Sequence, residues 1–223
     1  KNRQDETKVD DRLDKIQLST RHLLELVKDV LDMSKLEAGR LDIKEEAFDL
    51  AELMNEVAAL MDSQVMQTGL VHRKHRGTIR HIALYGSSLQ LRRIMLNLMS
   101  NSIKYNRPNG TIDTYATEIS DDGETALYEF RIVDSGIGMS REFIENELFK
   151  PFTQEENDAL TQYRGTGLGM SIVKALIDRL GGTIKVESTL GEGTDITYQL
   201  LFKIDKNASE QSESQNCAGA KNL

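Results

Sequence analysis

The stretch SSLQLRRIMLNLMSNSIKY, Ser87 to Tyr105, decides how the chain is read. Leu91, Ile94, Met95, Leu98, Met99 and Ser102 recur at steps of three and four, which lays them along one face of a helix. Asn97, Asn101 and Lys104 keep the same spacing and make a narrow polar stripe beside the apolar one. Asparagine is a mediocre helix former, so two of them a turn apart need a reason. A helix that borders a nucleotide site has one. An amide oxygen is a neutral, hard ligand suited to Mg²⁺, and a lysine one turn later can meet phosphate. On the stripe alone, two solvent-facing asparagines are the commoner arrangement.

Four boxes follow in order. They are Asp134-Ser135-Gly136-Ile137-Gly138, Phe149-Lys150-Pro151-Phe152, Gly165-Thr166-Gly167-Leu168-Gly169 and Gly191-Glu192-Gly193-Thr194. An asparagine helix followed by DxGxG, FxPF, GTGLG and GxGT resembles the ATP-binding domain of sensor histidine kinases, within the GHKL (Bergerat-type) ATPase superfamily. Each box is short; their common order across residues 87–194 carries the resemblance. It implies ATP and Mg²⁺ as cofactors. It also implies a two-layer α/β sandwich: a mixed, mostly antiparallel sheet of about five strands with three helices on one face, preceded by a long N-terminal helix.

A carboxylate at a strand end beside a glycine turn can accept a hydrogen bond from the exocyclic amine of adenine, which guanine's carbonyl does not offer. By resemblance this is the role of Asp134. Gly136 and Gly138 let the backbone turn close to the ring, and Ile137 and Met139 supply apolar wall. Gly165, Gly167 and Gly169 open a helix whose free N–H groups suit phosphate oxygens, with Thr166 and Leu168 flanking them. Asn101 is the first candidate for Mg²⁺ and Asn97 the second. Lys104 would neutralise phosphate and Tyr105 would pack near the nucleotide. Phe149 and Phe152 fit a lid anchor or core packing better than contact with ATP.

Asn97 also separates reaction types. In the chaperone, mismatch-repair and gyrase branches a glutamate stands at this position and activates water. An amide cannot act as a general base. Phosphoryl transfer to histidine needs positioning and charge neutralisation instead. The resemblance therefore implies a kinase, passing the ATP γ-phosphoryl to a histidine for relay to the aspartate of a response-regulator receiver domain. Two other readings stay open: a catalytically silent nucleotide-binding regulatory module, and a GHKL ATPase. A serine-directed kinase like the anti-sigma factors is a third, disfavoured by the long N-terminal helix. Three departures from the family pattern matter. Ser87 stands where close members carry aspartate; it can still cap the helix. Leu160 stands where lids of this type carry arginine, leaving Arg164 as the candidate contact for the terminal phosphate. The acceptor histidine is the third.

From Val9 to Glu37, Leu13, Ile16, Thr20, Leu23, Val27, Val30 and Ser34 alternate steps of three and four, the pattern of a coiled-coil helix. HLLELVKDVLDMSKLEAGRL resembles the second helix of the kinase dimerization domain. The first helix of that hairpin carries the acceptor histidine followed by an acidic residue. His22 is followed by Leu23 and reads as an ordinary helix histidine, so the resemblance implies either a chain cut between the two helices or a protein without its acceptor. The expected partners are a second copy, through this helix, and the receiver domain. The expected domains are 1–40 (partial dimerization helix), 41–205 (ATP-binding domain) and 206–223 (disordered tail or linker).

The 223 residues are 39% apolar and 29% charged, with net charge −8, which suits a globular core and argues against nucleic acid. One cysteine excludes an internal disulfide. No apolar run approaches the roughly 20 residues of a membrane span. By resemblance this is a cytoplasmic portion, of a membrane-anchored sensor. Three local expectations complete the reading. Asp49 or its neighbours cap a helix to about Met66 with Leu53, Val57, Leu60 and Met61 inward. HRKHRG, with His72, His75 and nearby His81, is a solvated hairpin tip rather than a metal site. Phe152 to Tyr163 lacks a clear period, as a lid would.

Overall fold

The computed structural model describes residues 43–155 and 166–206, and upstream 20, 23, 24, 27, 30, 31 and 33–35. Seven strands form one sheet: β1 (Glu46–Asp49), β2 (Val71–Arg76), β3 (Ala83–Gly86), β4 (Thr111–Asp121), β5 (Thr125–Asp134), β6 (Thr183–Thr189) and β7 (Gly193–Ile204). Their order is β1-β3-β7-β5-β4-β2, with β6 also paired to β7. Every pairing is antiparallel except that of β2 with β4. Among the described residues from 43 onward, the helices are α1 (Leu50–Thr68), α2 (Ser88–Lys104), the short α3 (Arg141–Asn146) and α4 (Gly169–Arg179).

The mixed, mostly antiparallel sheet with helices on one face is the architecture the motifs imply, widened beyond about five strands. Burial alternates along the central strands. Ala126, Tyr128, Phe130 and Ile132 of β5 are 0–5% exposed and meet Leu53, Leu98 and Ile172 of the helices in one core. The opposite face is polar: Arg131 forks onto Asp195 at 2.5 and 2.9 Å, and His75 stacks on Tyr115 with centroids 4.4 Å apart.

Asp49 caps α1, its Oδ1 accepting from Glu52 N–H at 2.8 Å, and Gly69 ends it at φ 71°. Leu53, Val57 and Met61 face inward, but Leu60 is 53% exposed and Val65 takes the inward place a turn later. α2 begins where expected, yet Ser87 makes no side-chain cap; its hydroxyl is buried without a partner, as is Gln90 Oε1.

HRKHR is not a hairpin tip. It is β2, an edge strand in register with β4 from Val71–Thr111 to Arg76–Ala116. Its histidines find carboxylates from distant parts of the chain, which spacing along the sequence does not reveal. His72 bridges Asp62 and Thr114 at 2.8 and 3.0 Å, and His75 meets Asp113 at 2.7 Å. His81 and Asp121 lie with the buried Glu118 in a cluster of metal-ligand type, but the Arg80 guanidinium already sits on Asp121 at 2.7 Å and Glu118 at 3.2 Å.

Glu118 is the polar clip of this edge. Its carboxylate accepts from the N–H groups of Arg80 and His81 at 2.7 and 2.9 Å. Burial pushes its pKa up, but those N–H groups and the His81 ring overcome it, so the carboxyl titrates below the ordinary glutamate value. The clip is therefore at full strength above that ordinary value and is lost as pH falls through the lowered one. Glu118→Gln is expected to destabilise the fold by about 2 kcal/mol at neutral pH. The difference from the unaltered chain should shrink in denaturant titrations as pH drops below about 4. A pH-independent difference would remove the clip from the account.

Upstream, Leu23, Leu24, Val27, Val30 and Leu31 are helical and 44–64% exposed, while Met33 packs against the core. Leu13, Ile16 and His22 lie outside the described residues, as do Leu160, Arg164, Gly165 and the tail beyond Lys206. Among the described residues no helix is long and apolar enough to cross a membrane.

Candidate nucleotide site

The apolar face of α2 sinks Leu91, Ile94 and Leu98 to 0% exposure, which leaves Asn97 and Asn101 half-buried on its flank. α4 lies along that flank and meets it with Gly169. A Cβ there would stand 3.4 Å from Asn97 Oδ1 and 3.7 Å from Asn101 Nδ2. Asn97 Nδ2 donates to the Arg93 carbonyl at 2.9 Å, which commits the nitrogen and leaves the oxygen free to act as a ligand. No side chain caps the N-terminus of α4. Its start, where the first N–H groups and the positive end of the helix dipole lie, is thus beside the two amides at Gly169. Leu168 is wholly buried in the core, so it anchors the loop and can offer the site only backbone. Its N–H donates to Thr166 Oγ1 at 3.2 Å.

The phenylalanine box backs this loop. Phe152 N–H donates to the Gly167 carbonyl at 3.1 Å, and Gly167 sits at φ 72° with the Phe152 carbonyl carbon 2.8 Å from where a Cβ would be. Phe152 is itself at φ 64° and 64% exposed, so its ring is no core residue.

Asp134 ends β5 at the C-terminal end of α2. Its Oδ1 accepts from Gly136 N–H and its Oδ2 from the Ser102 hydroxyl, both at 2.9 Å. Burial pushes its pKa up; the N–H groups of Gly136 and Thr194 and the Ser102 hydroxyl oppose that. Gly136 lies against the Tyr105 carbonyl, which accepts from Ile137 N–H at 3.0 Å. Gly138 is pressed onto the Thr189 carbonyl, and Met139 N–H donates to Ser188 Oγ at 2.9 Å. The DxGxG turn is therefore held between the end of α2 and the β6–β7 hairpin, whose Gly193 stands directly behind Asp134. Lys104 Nζ lies 3.1 Å from the Tyr105 hydroxyl.

Ser102 and Asn106 are not distinguished as site residues by periodicity. Ser102 reads as one more member of the apolar face. Asn106 closes the turn after α2, donating to the carbonyls of Ser102 and Thr111 at 3.0 and 3.2 Å. The available signal was a serine in a row of Leu, Ile and Met. A separate cavity lies between α1, α2 and the sheet, lined by Met54, Val57, Met95 and Tyr198 and by none of the box residues.

An acceptor carboxylate, an uncapped helix start and two amide oxygens beside it, with a lysine at hand, form a constellation for a purine nucleoside phosphate. Residues 86–204 match the family described as histidine kinase-, DNA gyrase B-, and HSP90-like ATPase. The chain belongs to this family. Among similar proteins, the sensor protein GacS of Pseudomonas syringae pv. syringae is 37% identical over 208 residues, 92% of this chain and 22% of GacS. The circadian input-output histidine kinase CikA of Synechococcus elongatus is 34% identical over 186 residues, 80% of this chain and 23% of CikA. The chain thus spans less than a quarter of these relatives. The crystal structure of full-length ShkA in complex with AMPPNP superposes with a TM-score of 0.70 at 26% identity, covering 84% of this chain and 37% of that one. The Acinetobacter baumannii histidine kinase AdeS, at TM-score 0.65 and 22% identity over 87% of this chain and 84% of its own, shares the fold.

Proposed function

We propose that this chain is the ATP-binding catalytic part of a sensor histidine kinase, which hands the ATP γ-phosphoryl to a histidine on a dimerization helix for relay to a receiver-domain aspartate. One observation supports this above the rest: Asn97 and Asn101 meet the uncapped start of α4 at Gly169, while α2 also delivers Ser102 to Asp134. One helix thereby serves both ends of a nucleotide.

Asp134 accepts from the adenine amine, and Ile137 and Met139 wall the ring. The N–H groups of Gly167 and Gly169 take phosphate oxygens, with Thr166 and Leu168 flanking them; Arg164 and Gly165, outside the described residues, are assigned to the same site by their place in the sequence. Lys104 swings from Tyr105 to the phosphates, and Tyr105 closes the side of the pocket. The free amide oxygens suit a hard cation, and Asn101 with Asn97 would hold Mg²⁺, which when bound offsets phosphate charge. Asn97 cannot deprotonate water, so the site positions a phosphoryl group without driving hydrolysis. The domains follow as residues 1–40, 41–205 and 206–223.

The test supplies an acceptor-helix domain in trans with Mg²⁺ and γ-labelled ATP. Label on the acceptor histidine, with little phosphate release, is the expected result. Bound ATP with no transfer favours a silent module; sustained turnover without acceptor favours an ATPase.

The exposed row Leu23, Leu24, Val27, Val30 and Leu31 is too apolar for a solvated helix. A second copy is its proposed cover. Sedimentation should show dimerisation, lost in Leu23→Glu/Val27→Glu; a monomer at every concentration would contradict this.

A further inference from the structure

Ser102 stands on the buried face of α2 and is 3% exposed. A buried hydroxyl needs a partner, and a helical serine usually finds one in the carbonyl a turn behind it. Ser102 instead reaches Asp134, thirty-two residues away, and donates to Oδ2 at 2.9 Å. The Gly136 N–H occupies Oδ1 at 2.9 Å, and the Thr194 N–H adds a third donor from β7. All three are neutral. Among the described residues no charged side chain acts on this carboxylate, and Lys104, on the same helix, is turned to the Tyr105 hydroxyl.

We propose that Ser102 is a positioning and specificity-determining residue for the nucleobase, whose hydroxyl keeps Asp134 an acceptor-only group and so selects a 6-amino purine over a 6-oxo purine. The proposal rests on the adenine reading of Asp134. A carboxylate presents only lone pairs, which meet an amine and repel a carbonyl. A carboxylic acid carries a proton that can donate to the 6-oxo group and accept it. Burial favours that acid form, so the neutral donors decide which face the base meets. Ser102 is the one among them that belongs to a side chain, and hence the one that substitution can remove. Asn106 steadies it by donating to the Ser102 carbonyl at 3.0 Å, which fixes the last turn of α2.

The experiment uses the full chain, Ser102→Ala and Ser102→Thr, which keeps a hydroxyl. The ¹³Cγ resonance of Asp134 is titrated without nucleotide, and ATP and GTP affinities are measured between pH 5.5 and 8, a range set about the carboxylate–neutral window. In Ser102→Ala the Asp134 midpoint should rise. ATP should bind about tenfold more weakly and GTP should change less, so selectivity falls, most at acidic pH. Ser102→Thr should restore the midpoint and the selectivity. An unmoved midpoint, or equal losses for both nucleotides at every pH, overturns the proposal. Failure of the unaltered chain to bind ATP overturns the adenine reading and the selectivity with it. The nucleotide-free titration then reports alone on the hold of Ser102 over Asp134.

Discussion

Asp134→Asn is expected to weaken ATP binding about a hundredfold while leaving the chain folded. The substitution keeps size and shape. It replaces one acceptor oxygen by an NH₂ that must face either the Gly136 N–H or the Ser102 hydroxyl, each of which donates there, and it leaves one acceptor fewer for the incoming amine. The carboxylate oxygens of the unaltered protein accept from Gly136 N–H and Ser102 Oγ at 2.9 Å each, so neither oxygen can be surrendered without leaving a buried donor unpaired. Stability should respond in a different direction from binding. Because burial raises the Asp134 pKa in the folded chain, the folded state binds this proton more tightly than the unfolded one. The contribution of Asp134 to stability is therefore fully present below the ordinary carboxylate value and is lost as pH rises through the raised one. The asparagine variant carries no such proton. Its stability relative to the unaltered chain should rise between pH 4 and pH 7, that is, from about the ordinary aspartate value upward, by denaturant unfolding. Undiminished ATP affinity in the variant would move the base elsewhere.

Gly193→Ala is expected to cost about 3 kcal/mol of fold stability, and to remove ATP binding as a consequence. Gly193 opens β7 at φ 122°, a region essentially closed to other residues, and its Cβ would fall 2.0 Å from the Asp134 backbone carbonyl. That carbonyl cannot give way, since Asp134 is in register with Thr194 on one side and Ile112 on the other. Gly191, two residues earlier, supplies the control. It too has a positive φ, 85°, but nothing lies within 4 Å of its Cβ position, so Gly191→Ala carries backbone strain alone. About 1 kcal/mol is expected for it, with ATP binding kept. Urea unfolding of the two variants separates them; equal losses would mean that the close approach to Asp134 is irrelevant.

These two glycines show how much of the molecule was legible beforehand. The GxGT box identified the turn, but nothing in the sequence told that its second glycine braces the back of Asp134. α2 was legible because its apolar positions recur at three and four, and one-sided burial is what that period encodes; the start of α4 was legible from the glycines that open it. β2 was not, because an edge strand buries little: HRKHR has no alternating apolar residues, and its place is decided by hydrogen bonds to β4 and by Asp62 and Asp113 arriving from elsewhere. Leu60 misled for the opposite reason, a leucine one residue outside the arc that α1 buries. In the site, Asp134, Asn97 and Asn101 announced themselves as polar residues where apolar or helix-forming ones are usual. Ser102 stayed hidden because a serine on a buried face differs little in pattern from an alanine. Its partner lies in another element, and a sequence does not state distances.

The proposed pocket brings the Asn97 and Asn101 amides of α2 to phosphate and Asp134 of β5, held by Ser102, to adenine. Calorimetric titration of the full chain with ATP and Mg²⁺, with GTP as the control, tests this most directly. Saturable binding of one ATP per chain, with GTP more than about tenfold weaker, is the predicted result. No binding, or ATP and GTP bound alike, would contradict it, because the boxes would then serve the fold without forming a nucleotide site.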